Sequence, residues 1–188
     1  MKTFKQFFLA FLCITALVAC KNESKKADAP SAVTNTAEKE KGQAFVKGDE
    51  STPNVLQIAI GSKDHTTLVA AVQAADLENA LVNAGPLMVF APTNDAFAAL
   101  PEGTVDNLLK PENKGALSNI LKYHVTPGNY SKDFLKKFKK LGQANNGYVK
   151  VEVKGDDVYV GGAKILGSVK AGNGIVHVID KVMLPPSE

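Results

Sequence analysis

Arginine is absent from this chain of 188 residues, and all 22 of its basic residues are lysine. The planar arginine side chain is the one best suited to paired contacts with phosphate and guanine, so its absence counts against a nucleic-acid partner. If Lys2 and Lys5 are removed with an export signal, 20 lysines remain against 19 acids. Such a balance leaves no broad cationic face, and the sequence therefore predicts no binding of DNA or RNA.

Cysteine is almost as scarce, with only Cys13 and Cys20 present. Cys13 lies in an apolar run, residues 7–18, that follows Lys2 and Lys5. The run is too short to cross a bilayer core of about 30 Å, and its charged start is typical of an export signal. Removal of the signal would leave one cysteine, so we expect no disulfide bond within the mature chain.

Residues 17–20 read "LVAC", which resembles the bacterial lipoprotein box. The resemblance implies that residues 1–19 are a lipoprotein signal peptide and that Cys20 is acylated and anchors the mature protein to a membrane. The expected location is then the bacterial cell envelope, at the outer membrane or cell surface, with the periplasmic face as an alternative. A plain secretory signal with an incidental Cys20 is the competing interpretation.

The segment after the signal is rich in Lys, Glu, Ala, Ser and Thr, with a lone Phe45. It has too little apolar surface to offset the entropy lost on folding. We therefore interpret residues 20–52 as the lipidated cysteine and a flexible tether, and residues 53–188 as one folded domain.

The folded domain begins with helical patterns and ends with strand patterns. Apolar residues recur at helical spacing in its first third, with a break near Asp76, and the run "PLMVFA" predicts a buried strand. A longer helix then leads into a strand around Tyr123 to Val125. The alternation in "YVKVEV" and the turn "KGDD" indicate a hairpin. Helices first and strands later predict an α+β fold.

Three polar residues follow the buried strand, in the stretch "FAPTNDAF". Thr93 or Asn94 can cap the next helix, Asp95 suits its first turn, and Phe97 can pack inward. An active-site loop is the alternative, but we interpret the segment as a structural motif.

Three stretches, "GPLMVFAPTNDAF", "LKYHV" and "NGIVHVIDKVMLP", resemble the fasciclin-like adhesion domain in their order and spacing. The resemblance implies a wedge-shaped β-sandwich with helices packed along one side, and a non-enzymatic role in adhesion or in protein or glycan interaction. In animal members of that family the Tyr-His segment is linked to integrin binding, and Tyr123 and His124 match it here. An envelope module that binds a small ligand or an anionic glycan is the alternative function.

Catalytic and metal-binding chemistry has little support in the sequence. No "GxSxG" presents a nucleophilic serine. His124 and His177 form an incomplete metal site without a nearby carboxylate or cysteine. We therefore assign no catalytic residues, metal or cofactor, and interpret His177 as structural.

The stretch "SKDFLKKFKK" predicts a short amphipathic helix with Phe134, Leu135, Phe138 and Leu141 on one face. Its other face carries the lysines Lys136, Lys137, Lys139 and Lys140. Such a lysine face is commonly only solvated, but it can also bind an anionic glycan or lipid headgroup. Together with Tyr123 and His124, these lysines are the candidate binding residues.

Overall fold

The computed structural model describes residues 52–83 and 85–186, all within one compact unit, Glu38–Glu188. The predicted signal peptide, Cys20 and all but the last residue of the predicted tether lie outside the described residues. The helices are α1 Val55–Gly61, α2 Thr66–Ala74, α3 Glu78–Asn83, α4 Asn94–Ala98, α5 Thr104–Leu108, α6 Lys114–Tyr123 and α7 Lys132–Leu135. The strands are β1 Leu87–Pro92, β2 Val125–Pro127, β3 Lys140–Gly142, β4 Tyr148–Lys154, β5 Asp157–Val160, β6 Ala163–Ala171 and β7 Gly174–Ile179.

Local signals explain where the first helices begin and end. The Asn54 side chain accepts from the Gln57 amide, and the Gln57 side chain accepts from the Asn54 amide, both at 2.9 Å. This reciprocal capping box fixes the start of α1. Asp76 has a φ of 52°, in the left-handed region, and it separates α2 from α3 as the sequence predicts.

The strands form one seven-stranded sheet in the order β2-β1-β7-β6-β5-β4-β3. β1 and β7 pair in parallel, and the other neighbours are antiparallel. The Ala144 amide, just after β3, donates to the Val125 carbonyl of β2 at 2.7 Å. This bond joins the two ends of the order, so the sheet curls until it is nearly closed.

β1 is buried on both faces and separates two apolar clusters. Met88 and Phe90 belong to the inner cluster, which the curled sheet encloses, whereas Leu87, Val89 and Ala91 belong to the helix-side cluster beneath α1, α2 and α6. The strand therefore reads as a continuous apolar run, because neither face meets water.

The close pairing of β1 with β7 requires a glycine at the start of β7. A Cβ atom on Gly174 would lie 1.8 Å from the Leu87 carbonyl oxygen. Only glycine lets the two backbones approach this closely.

The α+β prediction, with helices along one side of the sheet, is confirmed. Two local predictions are wrong. Tyr123 ends α6 and does not begin a strand, and α7 stops at Leu135 instead of running through the lysines. Leu141 pairs with Val149 across β3 and β4, and this sheet pairing overrides the helical pattern.

Among the described residues, no helix combines the length and the apolar character needed to span a bilayer.

Candidate binding surface

The turn after β1 is held together by the side chains of Thr93 and Asn94. Thr93 Oγ1 accepts a hydrogen bond from the Ala96 amide at 3.3 Å and caps α4. Asn94 Oδ1 accepts from the Thr67 amide at 3.1 Å, and Asn94 Nδ2 donates to the Lys63 carbonyl at 2.9 Å. The two Asn94 bonds tie the end of β1 to the start of α2, whereas the Thr93 bond is local and caps α4.

The other two residues of this motif face different surroundings. Asp95 is exposed in the first turn of α4, where a carboxylate interacts favourably with the helix dipole. Phe97 is half-buried and packs against the helix-side cluster. The geometry of the segment is that of a scaffold connection.

His124 is buried between α6 and the segment after β7. Its Nδ1 faces the Ile120 carbonyl at 2.8 Å and must donate, while its Nε2 accepts from the Met183 amide at 2.9 Å. Burial lowers the pKa of His124 to about 4, although the Ile120 carbonyl opposes the shift. The ring is therefore neutral at pH 7 and has both nitrogens occupied, so it is unsuited to binding a metal.

His177 lies fully buried on β7 and stacks on Phe90, with ring centroids 5.7 Å apart. Its Nε2 donates to the Tyr130 carbonyl at 2.9 Å, and its Nδ1 accepts from the Ser168 hydroxyl at 2.7 Å. Burial lowers its pKa, and Lys132 lowers it further, whereas the Tyr130 carbonyl raises it. Sequence reasoning missed the Ser168 pairing. It does not make a catalytic triad, because the far nitrogen binds a carbonyl and not a carboxylate.

His65 is also buried, and its Nδ1 lies 2.8 Å from the Ser62 hydroxyl oxygen. Burial lowers its pKa, while Asp64 and the Ala91 carbonyl oppose the shift. The buried Nε2 of His65 has no hydrogen-bond partner among the described residues. Across that same part of the chain, no group of three His, Cys, Asp or Glu side chains is arranged to hold a metal ion.

Tyr123 lies beneath the surface, only 6% exposed, at the end of α6. Its hydroxyl donates to the Tyr148 carbonyl at 3.0 Å, and burial raises its pKa. Tyr123 therefore ties the end of α6 to β4, and His124 ties it to the segment after β7, so both side chains are already engaged within the domain.

The four candidate lysines lie between α7 and β4, and all four are exposed. Leu135 and Leu141 flank them and are buried in the inner cluster, which pins both ends of the segment. Lys137 Nζ lies 4.9 Å from the centre of the Phe134 ring, and Lys136 pairs with Asp133 at 3.1 Å. We call Lys136, Lys137, Lys139 and Lys140 the lysine segment.

An aromatic cluster accompanies the lysine segment. Tyr130 stacks on Phe134 with ring centroids 5.5 Å apart, and it meets Phe138 at 5.2 Å. Phe134 is 42% exposed, which is high for a phenylalanine and leaves apolar ring surface open to a partner.

An open groove of about 450 Å³ runs beside this cluster. Tyr130, Phe138 and Tyr148 contribute ring surface, and Asn146 and Lys140 contribute polar atoms. Tyr148 is 63% exposed, and Lys140 Nζ lies 4.6 Å from the centre of its ring. The groove thus combines flat apolar faces with a cation and an amide. Sequence reasoning missed Tyr148, although the alternation of β4 could have placed it outward, since Val149 is buried.

The chain matches known proteins over most of this domain. The fasciclin domain family model matches residues 63–185. Protein sll1483 of Synechocystis sp. is 47% identical over 138 residues, which cover 73% of this chain and 76% of that protein. The immunogenic protein MPB70 of Mycobacterium bovis is 36% identical over 152 residues, which cover 78% of this chain and 76% of that protein.

A solved structure is similar as well. It is a FAS1 domain pair from the insect cell adhesion molecule Fasciclin I, with a TM-score of 0.42 and 21% identity, covering 70% of this chain and 44% of that chain. The family model matches more than half of the present chain, and the match to sll1483 spans most of both proteins. This chain therefore belongs to the fasciclin domain family.

Proposed function

We propose that this protein is a non-enzymatic, lipid-anchored interaction protein of a bacterial cell envelope, which binds an anionic glycan through the groove and the lysine segment during adhesion. One observation carries the proposal. Four exposed lysines stand in a short segment whose Phe138 and Lys140 also line an open groove with aromatic walls. Membership of a family associated with adhesion supports an interaction role over a catalytic one.

The chemistry of the groove suits an acidic sugar. Ring faces such as those of Tyr130 and Tyr148 offer apolar surface for the C–H face of a sugar, and a tyrosine hydroxyl can hydrogen-bond to water or to a ligand. The Asn146 amide can donate and accept hydrogen bonds. Lysines attract carboxylate or sulfate groups over several ångströms in a manner that salt screens.

The geometry of His124 and His177 supports a function without catalysis. His124 and His177 each use both ring nitrogens for contacts within the domain. A general base needs a free nitrogen within reach of a substrate proton. Neither ring offers one in this arrangement.

Membrane attachment through acylated Cys20 is the second part of the proposal, and it rests on the "LVAC" motif. Radiolabelled palmitate should label the wild-type protein and not the Cys20→Ser variant. Protease treatment of intact cells then separates the two locations, since digestion would place the domain at the cell surface and protection would place it on the periplasmic side.

The glycan proposal is tested by replacing Lys136, Lys137, Lys139 and Lys140 together with glutamine. Polygalacturonate is the acidic probe, and dextran is the neutral one. We expect the wild type to bind polygalacturonate in a salt-sensitive manner and the quadruple variant to lose that binding. Calorimetry at low and moderate salt measures both.

The matched control replaces four other exposed lysines, Lys63, Lys110, Lys170 and Lys181, which changes the net charge equally. This control should keep most of its affinity for polygalacturonate. Equal loss in both quadruple variants would reduce the effect to net charge and refute a specific site. Unchanged binding in the first variant would refute the lysine segment.

A further inference from the structure

A second cavity, of about 210 Å³, lies between the first helices and the sheet. Its walls come from α1, α2 and α3 on one side and from β1, β2 and the end of α6 on the other. It shares no lining residue with the groove. Most of its wall is aliphatic, including Val55, Leu68, Val72, Leu77, Leu81 and Val125.

A cavity of this size is uncommon in a folded domain, because protein interiors pack with few spaces larger than a water molecule. An apolar cavity of about 150 Å³ is enough to admit a benzene-sized molecule. Water is a poor occupant, since it needs two to four polar partners. His124 lines the wall, but both of its ring nitrogens are already bonded to protein groups. The apolar wall of the cavity therefore favours a hydrocarbon group over water.

The cavity reaches the surface along α3. Ala80 lines the cavity and is exposed, while Leu77 and Leu81 are only half-buried. No residue of α3 is fully buried, so this helix forms a thin outer wall. Asn173 holds the wall in place, because its Nδ2 donates to the Leu81 carbonyl at 2.8 Å while its Oδ1 accepts from the Val55 amide at 2.9 Å.

One cationic side chain lines this cavity. Lys122 is exposed on α6 and contributes to the wall. It forms no ion pair with an acid in the part of the chain that the structure describes. A ligand with a hydrocarbon tail and a carboxylate end would meet both kinds of surface.

We propose that this cavity binds the tail of a single-chain fatty acid, whose carboxylate lies near the Lys122 ammonium. The aliphatic wall takes the tail, the opening beside Ala80 admits it, and Lys122 sets its direction. This site is independent of the groove and of the proposed glycan binding.

Calorimetric titration of the full chain carrying Cys20→Ser tests the proposal, since that chain cannot be acylated on the cysteine and the added probe supplies the ligand. Decanoate and decanol are the probes, both below their aggregation limits. We expect one saturable site for decanoate. Absence of saturable binding by both probes would overturn the proposal.

Ala80→Trp should place an indole over the opening and weaken decanoate binding by about tenfold or more. Ala98→Trp is the matched control, because Ala98 is exposed on α4 and lines neither cavity nor groove. Melting temperatures of the two variants confirm folding. Decanoate binding that Ala80→Trp leaves unchanged would locate the probe elsewhere and overturn the proposal.

Lys122→Met distinguishes the contribution of the ligand's carboxylate from that of its hydrocarbon tail, because it removes the charge and keeps the approximate length of the side chain. It should weaken decanoate binding by about threefold, as expected for an exposed ion pair, and leave decanol binding unchanged. Lys110→Met, at an exposed site outside the cavity, should change neither. Equal loss for both probes in Lys122→Met would refute the role of its charge.

Discussion

The two faces of β1 differ in how well their surroundings are packed. On the inner face, Phe90, Ile165 and Ile179 are fully buried within the curled sheet. On the other face, a cavity of about 210 Å³ remains beneath α1, α2 and α3. The strands that enclose the inner cluster are tied by backbone hydrogen bonds on both sides, so their spacing is set. The helices contact the sheet mainly through side chains, with backbone hydrogen bonds only near their ends, so they can leave space between the layers. The helix side is therefore the more permissive region.

The largest expected effect compares one truncation on each face. Ile179→Ala should lower the free energy of unfolding by about 4 kcal/mol, because it opens a cavity in a region that cannot collapse. Leu81→Ala should cost about 1 kcal/mol, since Leu81 is half-buried beside existing space. Urea unfolding measures both. Equal costs would contradict the difference between the faces.

The second largest effect is expected from acid, which should destabilise the fold around His124, where the end of α6 contacts the segment after β7. The folded state holds His124 neutral with a pKa of about 4, whereas the unfolded chain binds a proton near pH 6.5. Stability is therefore present above about pH 6.5 and is lost as the pH falls towards 4, by about 3 kcal/mol in all. The lowered pKa values of His65 and His177 act in the same direction.

Urea unfolding between pH 7 and pH 4 checks this expectation. His124→Gln should be less stable at pH 7 and should show a shallower loss on acidification. A slope identical to that of the wild type would show that His124 is not the main titrating group.

Two substitutions of alanine by leucine sharpen the packing comparison. Ala163 is 1% exposed in the inner cluster, so Ala163→Leu should overpack it and cost about 2 kcal/mol. Ala59 lines the helix-side cavity, so Ala59→Leu should be neutral or stabilising by about 1 kcal/mol. Thermal and urea unfolding distinguish the two. A comparable loss in Ala59→Leu would show that its cavity wall cannot accept added volume.

The smallest effect is expected for the hydrogen bonds by which Asn94, just after β1, holds the start of α2. Asn94→Ala removes the bonds to the Thr67 amide and the Lys63 carbonyl and should cost about 1 kcal/mol. Asp95→Ala, at an exposed neighbouring position, is the control and should cost less than half of that. Urea unfolding compares them. An Asn94→Ala variant as stable as the control would show that the Asn94 hydrogen bonds do not stabilise the fold.

The sequence predicted the elements with strong local signals. Asp76 breaks the second helical run, and the buried run of β1 appears where the pattern indicates. The predictions were wrong where contacts between residues far apart in the sequence determine the local structure. α7 stops at Leu135 because Leu141 must join β4, and that pairing cannot be read from helical periodicity.

The candidate site also has some features that could be predicted from local sequence and others that depend on distant contacts. The charge and exposure of the lysine segment were readable, since long runs of lysine stay in water. The burial of Tyr123 and His124 was not, because it depends on how α6 meets β4 and the segment around Met183.

The sequence by itself determined the α+β class, the capped turn after β1, the absence of arginine chemistry and the family, because these rest on local pattern and residue type. Only the tertiary structure decided which histidine nitrogens are occupied, where the groove opens and that a cavity remains under the helices. Those features arise between side chains far apart in the chain, and their contacts are set by how the sheet curls and where the helices settle upon it.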